Sequence, residues 1–276
     1  MPTMDSQRRG AAVWAASGLA GDMRHILILG GTSEARQLAG RLADRRDLKV
    51  TLSLAGRTAH PAAQPVPVRV GGFGGIDGLA AYLANQHIDV LVDATHPYAA
   101  TMAAHAAEAA ARMKVPIVAL RRKAWTAIAG DNWMEVADIG GAVVALGASP
   151  RRVFLAIGRK EVGAFATAPQ HDYLIRSVDP VEPPLDVPRA AYIVARGPFS
   201  EDDERALLGQ HRIDVVVAKN SGGKATKGKI AAARALGIKV VMLRRPALPD
   251  VLTADTVQDA VAWLDHAPAP PTDRGV

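Results

Sequence analysis

Two adjacent glycines, Gly30-Gly31, followed by Thr32 and Ser33, stand between four aliphatic residues (Ile26, Leu27, Ile28, Leu29) and a helix-forming run from 35 to 43. A buried parallel strand, a tight turn and a helix in that order leave unpaired N–H groups and the positive end of the helix dipole facing the turn. That arrangement suits a phosphate, so Gly30, Gly31, Thr32 and Ser33 are candidates for holding a dinucleotide pyrophosphate. The next strand, 50–56, ends in Arg57-Thr58 and carries no acidic residue between Val50 and His60. A dinucleotide fold that binds NAD places an acid there for the ribose 2′-hydroxyl, whereas arginine suits a 2′-phosphate. The cofactor expected from Arg57 and Thr58 is therefore NADPH, the alternative being a solvated surface arginine. Gly71-Gly72-Phe73-Gly74-Gly75 marks either a close approach of backbone to ligand, with Gly72 as the contact, or a mobile turn.

Asp93-Ala94-Thr95-His96-Pro97-Tyr98 ends another apolar run, 87–92, and Pro97 opens the helix expected at 98–113. Thr95 and His96 thus belong at the carboxyl edge of the sheet, where open α/β folds bind ligands. His96 reads as a proton donor, a polar ligand contact or a hydrogen-bonded loop histidine, with Tyr98 as a second donor candidate. In the second half the candidates are cationic: Gly158-Arg159-Lys160, Arg196, and Lys219-Asn220-Ser221 with Lys224. Arginine forks and lysine point charges at strand exits bind carboxylates or phosphates. Solvated charges on loop ends are the alternative for some of them.

The elements that must position these groups repeat. Arg212-Ile213-Asp214-Val215-Val216-Val217 echoes His87-Ile88-Asp89-Val90-Leu91-Val92, and the strands that follow end in Leu120-Arg121-Arg122 and Leu243-Arg244-Arg245. The expected fold is α/β, with two related lobes of parallel sheet flanked by helices and a cleft between their strand ends. The divisions expected are a disordered extension at 1–22, a nucleotide-binding lobe at 23–124, a connecting segment at 125–149 and a second, substrate-side lobe at 150–248. A C-terminal helix (256–266), packed on either lobe, and a loose tail complete 249–276. Ser200 before Glu201-Asp202-Asp203 signals a helix start.

Of 276 residues, 49% are hydrophobic and only 4% aromatic, as befits helices packed on parallel strands. The absence of cysteine removes disulfides, thiolate metal sites and cysteine nucleophiles, and fits a cytoplasmic setting. A net charge of +6 favours an anionic partner. The basic residues are scattered among few aromatics, which argues against nucleic acid, and no apolar run is long enough to span a bilayer. No histidine spacing suggests a metal. Gly223 to Lys229 follows a P-loop pattern until Ile230 replaces the magnesium-binding hydroxyl, so nucleotide hydrolysis lacks a required part. No tyrosine has a lysine four residues later, which counts against a short-chain reductase.

Taken together, Gly-Gly-Thr-Ser-Glu-Ala-Arg at 30–36, Ser-Leu-Ala-Gly-Arg-Thr at 53–58, Gly-Gly-Phe-Gly-Gly at 71–75, Asp-Ala-Thr-His-Pro-Tyr-Ala at 93–99 and Lys-Asn-Ser-Gly-Gly at 219–223 resemble the precorrin-6A reductases. The resemblance covers nearly all of 23–245. It implies two Rossmann-like lobes and an NADPH-dependent reduction of one macrocycle double bond of precorrin-6A, giving precorrin-6B in cobalamin biosynthesis. It leaves two alternatives: a reductase of the cobalt-containing counterpart, and a non-catalytic NADPH- or tetrapyrrole-binding protein. The many carboxylates of such a substrate would match the basic second lobe. The expected assembly is a monomer or weak homodimer.

Overall fold

A computed structural model describes residues 23–56 and 62–267. The expectations for 1–22, for Arg57 and Thr58 and for the tail from 268 lie outside the described residues.

Strands β1 (Arg24–Leu29), β2 (Leu48–Leu54), β3 (Val68–Val70), β4 (Val90–Asp93) and β5 (Ile117–Leu120) alternate with helices α1 (Ser33–Leu42), α2 (Gly75–Asn85) and α3 (Ala100–Met113). The chain then forms β6 (Trp133–Val136), α4 (Ile139–Leu146), β7 (Arg152–Ala156), β8 (Asp172–Ser177), β9 (Ala190–Val194) and α5 (Glu201–Gln210). It closes with β10 (Val215–Lys219), α6 (Gly228–Ala235), β11 (Lys239–Leu243), β12 (Thr253–Ala254) and α7 (Val257–His266). Two six-stranded sheets result, ordered β12-β5-β4-β1-β2-β3 and β6-β11-β10-β7-β8-β9. Every pairing is parallel. This is the expected two-lobed α/β architecture.

The echo between the halves has a structural basis. His87 and Arg212 both turn into the left-handed region (φ 48° and 49°) just before their Ile-Asp-Val runs. Asp89 then accepts the His25 amide through Oδ2 at 2.8 Å, and Asp214 accepts the Arg152 amide at 2.7 Å. In each lobe one aspartate ties the central strand to its neighbour where the pairing begins. Ser200 is the N-cap of α5, its hydroxyl accepting from Asp203 N, as the sequence signal requires.

The expected divisions need correcting at both crossings. The segment 125–149 is not merely a connection: β6 pairs with β11 at the edge of the second sheet, and Ala142 and Leu146 of α4 are buried in that lobe's core. Conversely, β12 pairs with β5, and Ala254, Ala260 and Leu264 are buried with Ile26, Leu38 and Leu42 of the first lobe. Each sheet therefore takes its sixth strand and a covering helix from beyond the crossing. The exchanged units match: Asp138 and Thr256 cap their helices, and four and eight residues on stand the buried pairs Ala142/Leu146 and Ala260/Leu264. A four-residue and a two-residue strand are too short to show a period, so only sheet pairing reveals where they belong.

Candidate active site

The carboxyl ends of the two sheets face each other, held together by polar contacts across the gap. Tyr98, just after β4, donates its hydroxyl to the carbonyl of Leu243 at the end of β11 and accepts the amide of Asn220 at 2.7 Å. Asn220 clasps the crossing segment: its Oδ1 accepts from Trp125 N at 2.7 Å and its Nδ2 donates to Trp125 O at 2.8 Å. Arg122 forms an ion pair with Glu34 of α1 and donates Nε to the carbonyl of Ser221 at 2.6 Å. Its counterpart Arg245 donates to the carbonyls of Asn220 (2.9 Å), Arg122 (2.8 Å) and Ser221 (3.1 Å). Gly222 has φ 73°, and a Cβ there would stand 2.0 Å from the Lys123 carbonyl, so only glycine permits this approach.

On the first lobe, Gly30 passes over β2 so closely that a Cβ would meet Leu52 Cδ1 at 2.7 Å. Gly31 has φ 115° with no atom within 4 Å of the Cβ position, which leaves the turn open above the start of α1. Thr32 is the N-cap; its hydroxyl accepts from Ala35 N at 3.1 Å and donates to Ala94 O at 2.9 Å, locking the turn to the end of β4. Ser33 donates to Glu34 at 3.0 Å. A narrow cleft lined by Thr32, Glu34, Thr95, Pro97, Leu120 and Arg122 runs beside this turn. Thr95 donates both its amide and its hydroxyl to the buried Asp93 carboxylate. Gly72 is open on its Cα side, and its carbonyl accepts from Arg69, which lies 3.8 Å from the Phe73 ring. An open glycine turn and a capped helix start suit the phosphates of a dinucleotide; the cleft beside them, about 10 Å³, is too small to hold one. A hollow of about 760 Å³ between α3 and Pro249-Asp250-Val251, lined by four alanines, other apolar side chains and Glu108, Lys114 and Asp250, lacks these features.

His96 accepts the Tyr98 amide on Nδ1 at 3.3 Å, leaving the ring proton on Nε2. Burial first, then the charges of Arg122, Lys219, Arg245 and Lys229, push its pKa down to about 3. At neutral pH it is an uncharged imidazole with one N–H to offer. Burial raises the Tyr98 pKa to about 12, and its hydroxyl proton is already committed to Leu243. On the second lobe, Gly158, Arg159, Lys160, Arg196 and Lys224 are exposed at strand exits. Lys219 is half-buried, pairs with Glu161 at 2.6 Å and lies 5.3 Å from the Tyr98 ring. Asn220 and Ser221 differ from the expectation: their amide and carbonyl groups hold the junction, so they frame the site from within the protein. Arg122, Arg245, Glu34 and Trp125 escaped sequence reasoning, although the repeated Arg-Arg after β5 and β11 was a visible signal.

Behind this loop Lys229 is buried, donating to Thr226 O at 2.7 Å and lying 5.2 Å from the Trp125 ring. Burial, reinforced by the Arg176 charge, lowers its pKa to about 7. Between pH 7 and the ordinary lysine value of 10.5, the unfolded chain holds the proton that the folded one has released. Raising the pH therefore favours the fold, by about 1.4 kcal/mol per unit. Chemical denaturation of the wild type from pH 7 to about one unit below the ordinary tyrosine value of 10.0 should show this rise, and Lys229→Met should flatten it; above that, Tyr98 and Tyr173, both raised to about 12, work against it.

The model of the family described as precorrin-6x reductase CbiJ/CobK matches residues 25–265. The chain is 56% identical to the precorrin-6A reductase of Sinorhizobium sp over 245 residues, 89% of this chain and 94% of that protein. The chain belongs to the precorrin-6x reductase family. It is thus an oxidoreductase of cobalamin biosynthesis, acting on a CH–CH group. A solved structure titled CobK precorrin-6A reductase is 47% identical to this reductase and superposes with a TM-score of 0.86, over 92% of this chain and all of that one. The cobalt-precorrin-6A reductase of Priestia megaterium is 28% identical over 87% of this chain and 97% of that protein. No helix among the described residues of the reductase is long and apolar enough to cross a membrane.

Proposed function

We propose that this reductase uses NADPH to reduce one double bond of the precorrin-6A macrocycle, giving precorrin-6B. The observation that carries the reading is 56% identity to a precorrin-6A reductase over nearly the whole length of both chains. The lower identity, 28%, to a cobalt-precorrin-6A reductase favours the metal-free substrate. Bound NADPH supplies a hydride from the nicotinamide. The chain's own residues do the rest. Gly30, Gly31, Thr32 and Ser33 seat the pyrophosphate, Arg57 and Thr58 read the 2′-phosphate, and Gly72, Thr95 and His96 border the cofactor. Gly158, Arg159, Lys160, Arg196, Lys219 and Lys224 take the substrate's carboxylates, with Asn220 and Ser221 holding that loop in place. Two flat partners kept in contact with water excluded gain most of the rate from positioning. The accompanying proton comes from solvent: Tyr98 has none to spare, and His96, neutral at pH 7, offers its Nε2–H as a hydrogen bond and not as an acid. The protein acts as a monomer or weak homodimer in the cytoplasm.

Purified protein should oxidise NADPH only when precorrin-6A is added, with a matching change in the tetrapyrrole spectrum. NADPH binding without turnover of any corrin precursor would overturn the assignment. Arg57→Ala should weaken NADPH by ~1.5–3 kcal/mol and leave NADH nearly unchanged, as expected for loss of a charged hydrogen bond. Equal weakening of both cofactors in titrations would show that Arg57 does not read the 2′-phosphate.

A further inference from the structure

The geometry points to Arg122 as a positioning residue that transmits occupancy of the cofactor turn on the first lobe to the substrate loop on the second. The inference rests on the proposed seating of NADPH at Gly30-Gly31-Thr32-Ser33.

Glu34 is the second residue of α1, inside the first turn, where the helix dipole favours a negative charge. A dinucleotide phosphate would seek the same amides, so the carboxylate and the incoming anion compete for one electropositive end. The counter-ion of Glu34 is Arg122, both side chains lining the cleft beside the open Gly31 turn. A second anion arriving there repels Glu34 and attracts Arg122. The guanidinium cannot shift alone, because its Nε–H holds the Ser221 carbonyl at 2.6 Å. Arg245 ties the Ser221 carbonyl, the Asn220 carbonyl and the Arg122 carbonyl into one unit. The tight approach of Gly222 to Lys123 O, with a Cβ on Gly223 3.0 Å from Arg122 Cζ, leaves no slack between the crossing segment and the loop.

Lys219 and Lys224 bracket this loop. Moving Arg122 therefore moves the loop and Lys224 with it, relative to Lys219, which β10 and Glu161 hold in place. Coupling between binding sites is reciprocal, so substrate must change NADPH affinity by the same factor by which NADPH changes that of substrate. The pattern is asymmetric between the lobes: both Arg122 and Arg245 grip the second lobe's loop, and neither reaches Thr95 or His96 by a hydrogen bond.

The test combines NADPH titration by fluorescence with hydrogen exchange of the amides at 219–227, on the full chain. In the wild type, NADPH should change exchange across that loop. Glu34→Gln keeps the shape and removes the competing charge; it should bind NADPH roughly fivefold or more tightly, within the usual range for coupled sites. Arg122→Lys keeps a charge but lacks separate donors for Glu34 and Ser221. It should bind NADPH more weakly and abolish the loop's response. Circular dichroism and melting confirm folding, and the isosteric Glu34→Gln carries the test if Arg122→Lys proves unstable. NADPH binding with unchanged exchange at 219–227, or no tightening in Glu34→Gln, overturns the relay and leaves the cofactor assignment standing. No NADPH binding by the wild type overturns both.

Discussion

A chain ending at Leu248 should fail to fold, because it lacks the last strand and helix of the first lobe. The removed segment supplies Ala254, Ala260 and Leu264, buried among Ile26, Leu38 and Leu42, with Val257, Val261 and Trp263 packed alongside. Large apolar side chains contribute roughly 1.5–3 kcal/mol each on burial, so the loss rivals the whole net stability of a domain, about 5–15 kcal/mol. Backbone bonds are lost too: Ala119 N to Leu252 O at 2.8 Å and Arg121 N to Ala254 O at 2.9 Å, which turns β5 into an exposed edge. Arg24 also loses its acceptor, the Leu264 carbonyl at 3.0 Å. Far-UV circular dichroism and sedimentation should show aggregation or a partly unfolded chain. A monomeric, cooperatively melting product would show that α7 is dispensable. Leu264→Ala, a milder version, should cost about 2–5 kcal/mol in denaturant titration.

Glu204→Ala should strongly destabilise the second lobe. Arg176 and Glu204 form a fork-to-fork ion pair with side-chain exposures of 7% and 2%. The guanidinium lies 3.7 Å from the Phe199 ring and 4.9 Å from that of Phe154. Removing the carboxylate strands a buried cation, with Lys229 close enough to add to the repulsion. Breaking such a pair costs about 3–5 kcal/mol, whereas replacing both partners by apolar groups of like volume is often neutral or stabilising. The double variant Arg176→Met/Glu204→Leu should therefore recover most of the stability lost in Glu204→Ala. If the single variant melts like the wild type, Arg176 must have found another partner or water.

The glycine turn at 30–31, the Ser200 cap and the Ile-Asp-Val repeat were legible because each shows in a few consecutive residues: a turn needs glycine, a cap needs a hydroxyl, and a repeat is seen by comparison, although its aspartates meet amides 64 and 62 residues away. The second-lobe cations were legible as charges, and most lie exposed at strand exits. Asn220, Ser221 and Tyr98 were read as ligand or proton-transfer groups because their types permit that chemistry. Their partners, Trp125, Arg122, Arg245 and Leu243, lie up to 145 residues away, and nothing local announces them.

The amino-acid sequence by itself thus determined the strand–turn–helix units, their echo between the halves, the open glycine turn and the cationic strand exits of the second lobe. These follow from periodicity, turn chemistry and composition, which act over a few residues. Only the tertiary structure decided which sheet receives β6 and β12, and that the Lys219-Asn220-Ser221 loop is gripped by arginines from both crossings. It also decided that His96 is neutral. Strand partnership, burial and guanidinium–carbonyl contacts depend on segments far apart in the chain, and their energies exist only once those segments meet.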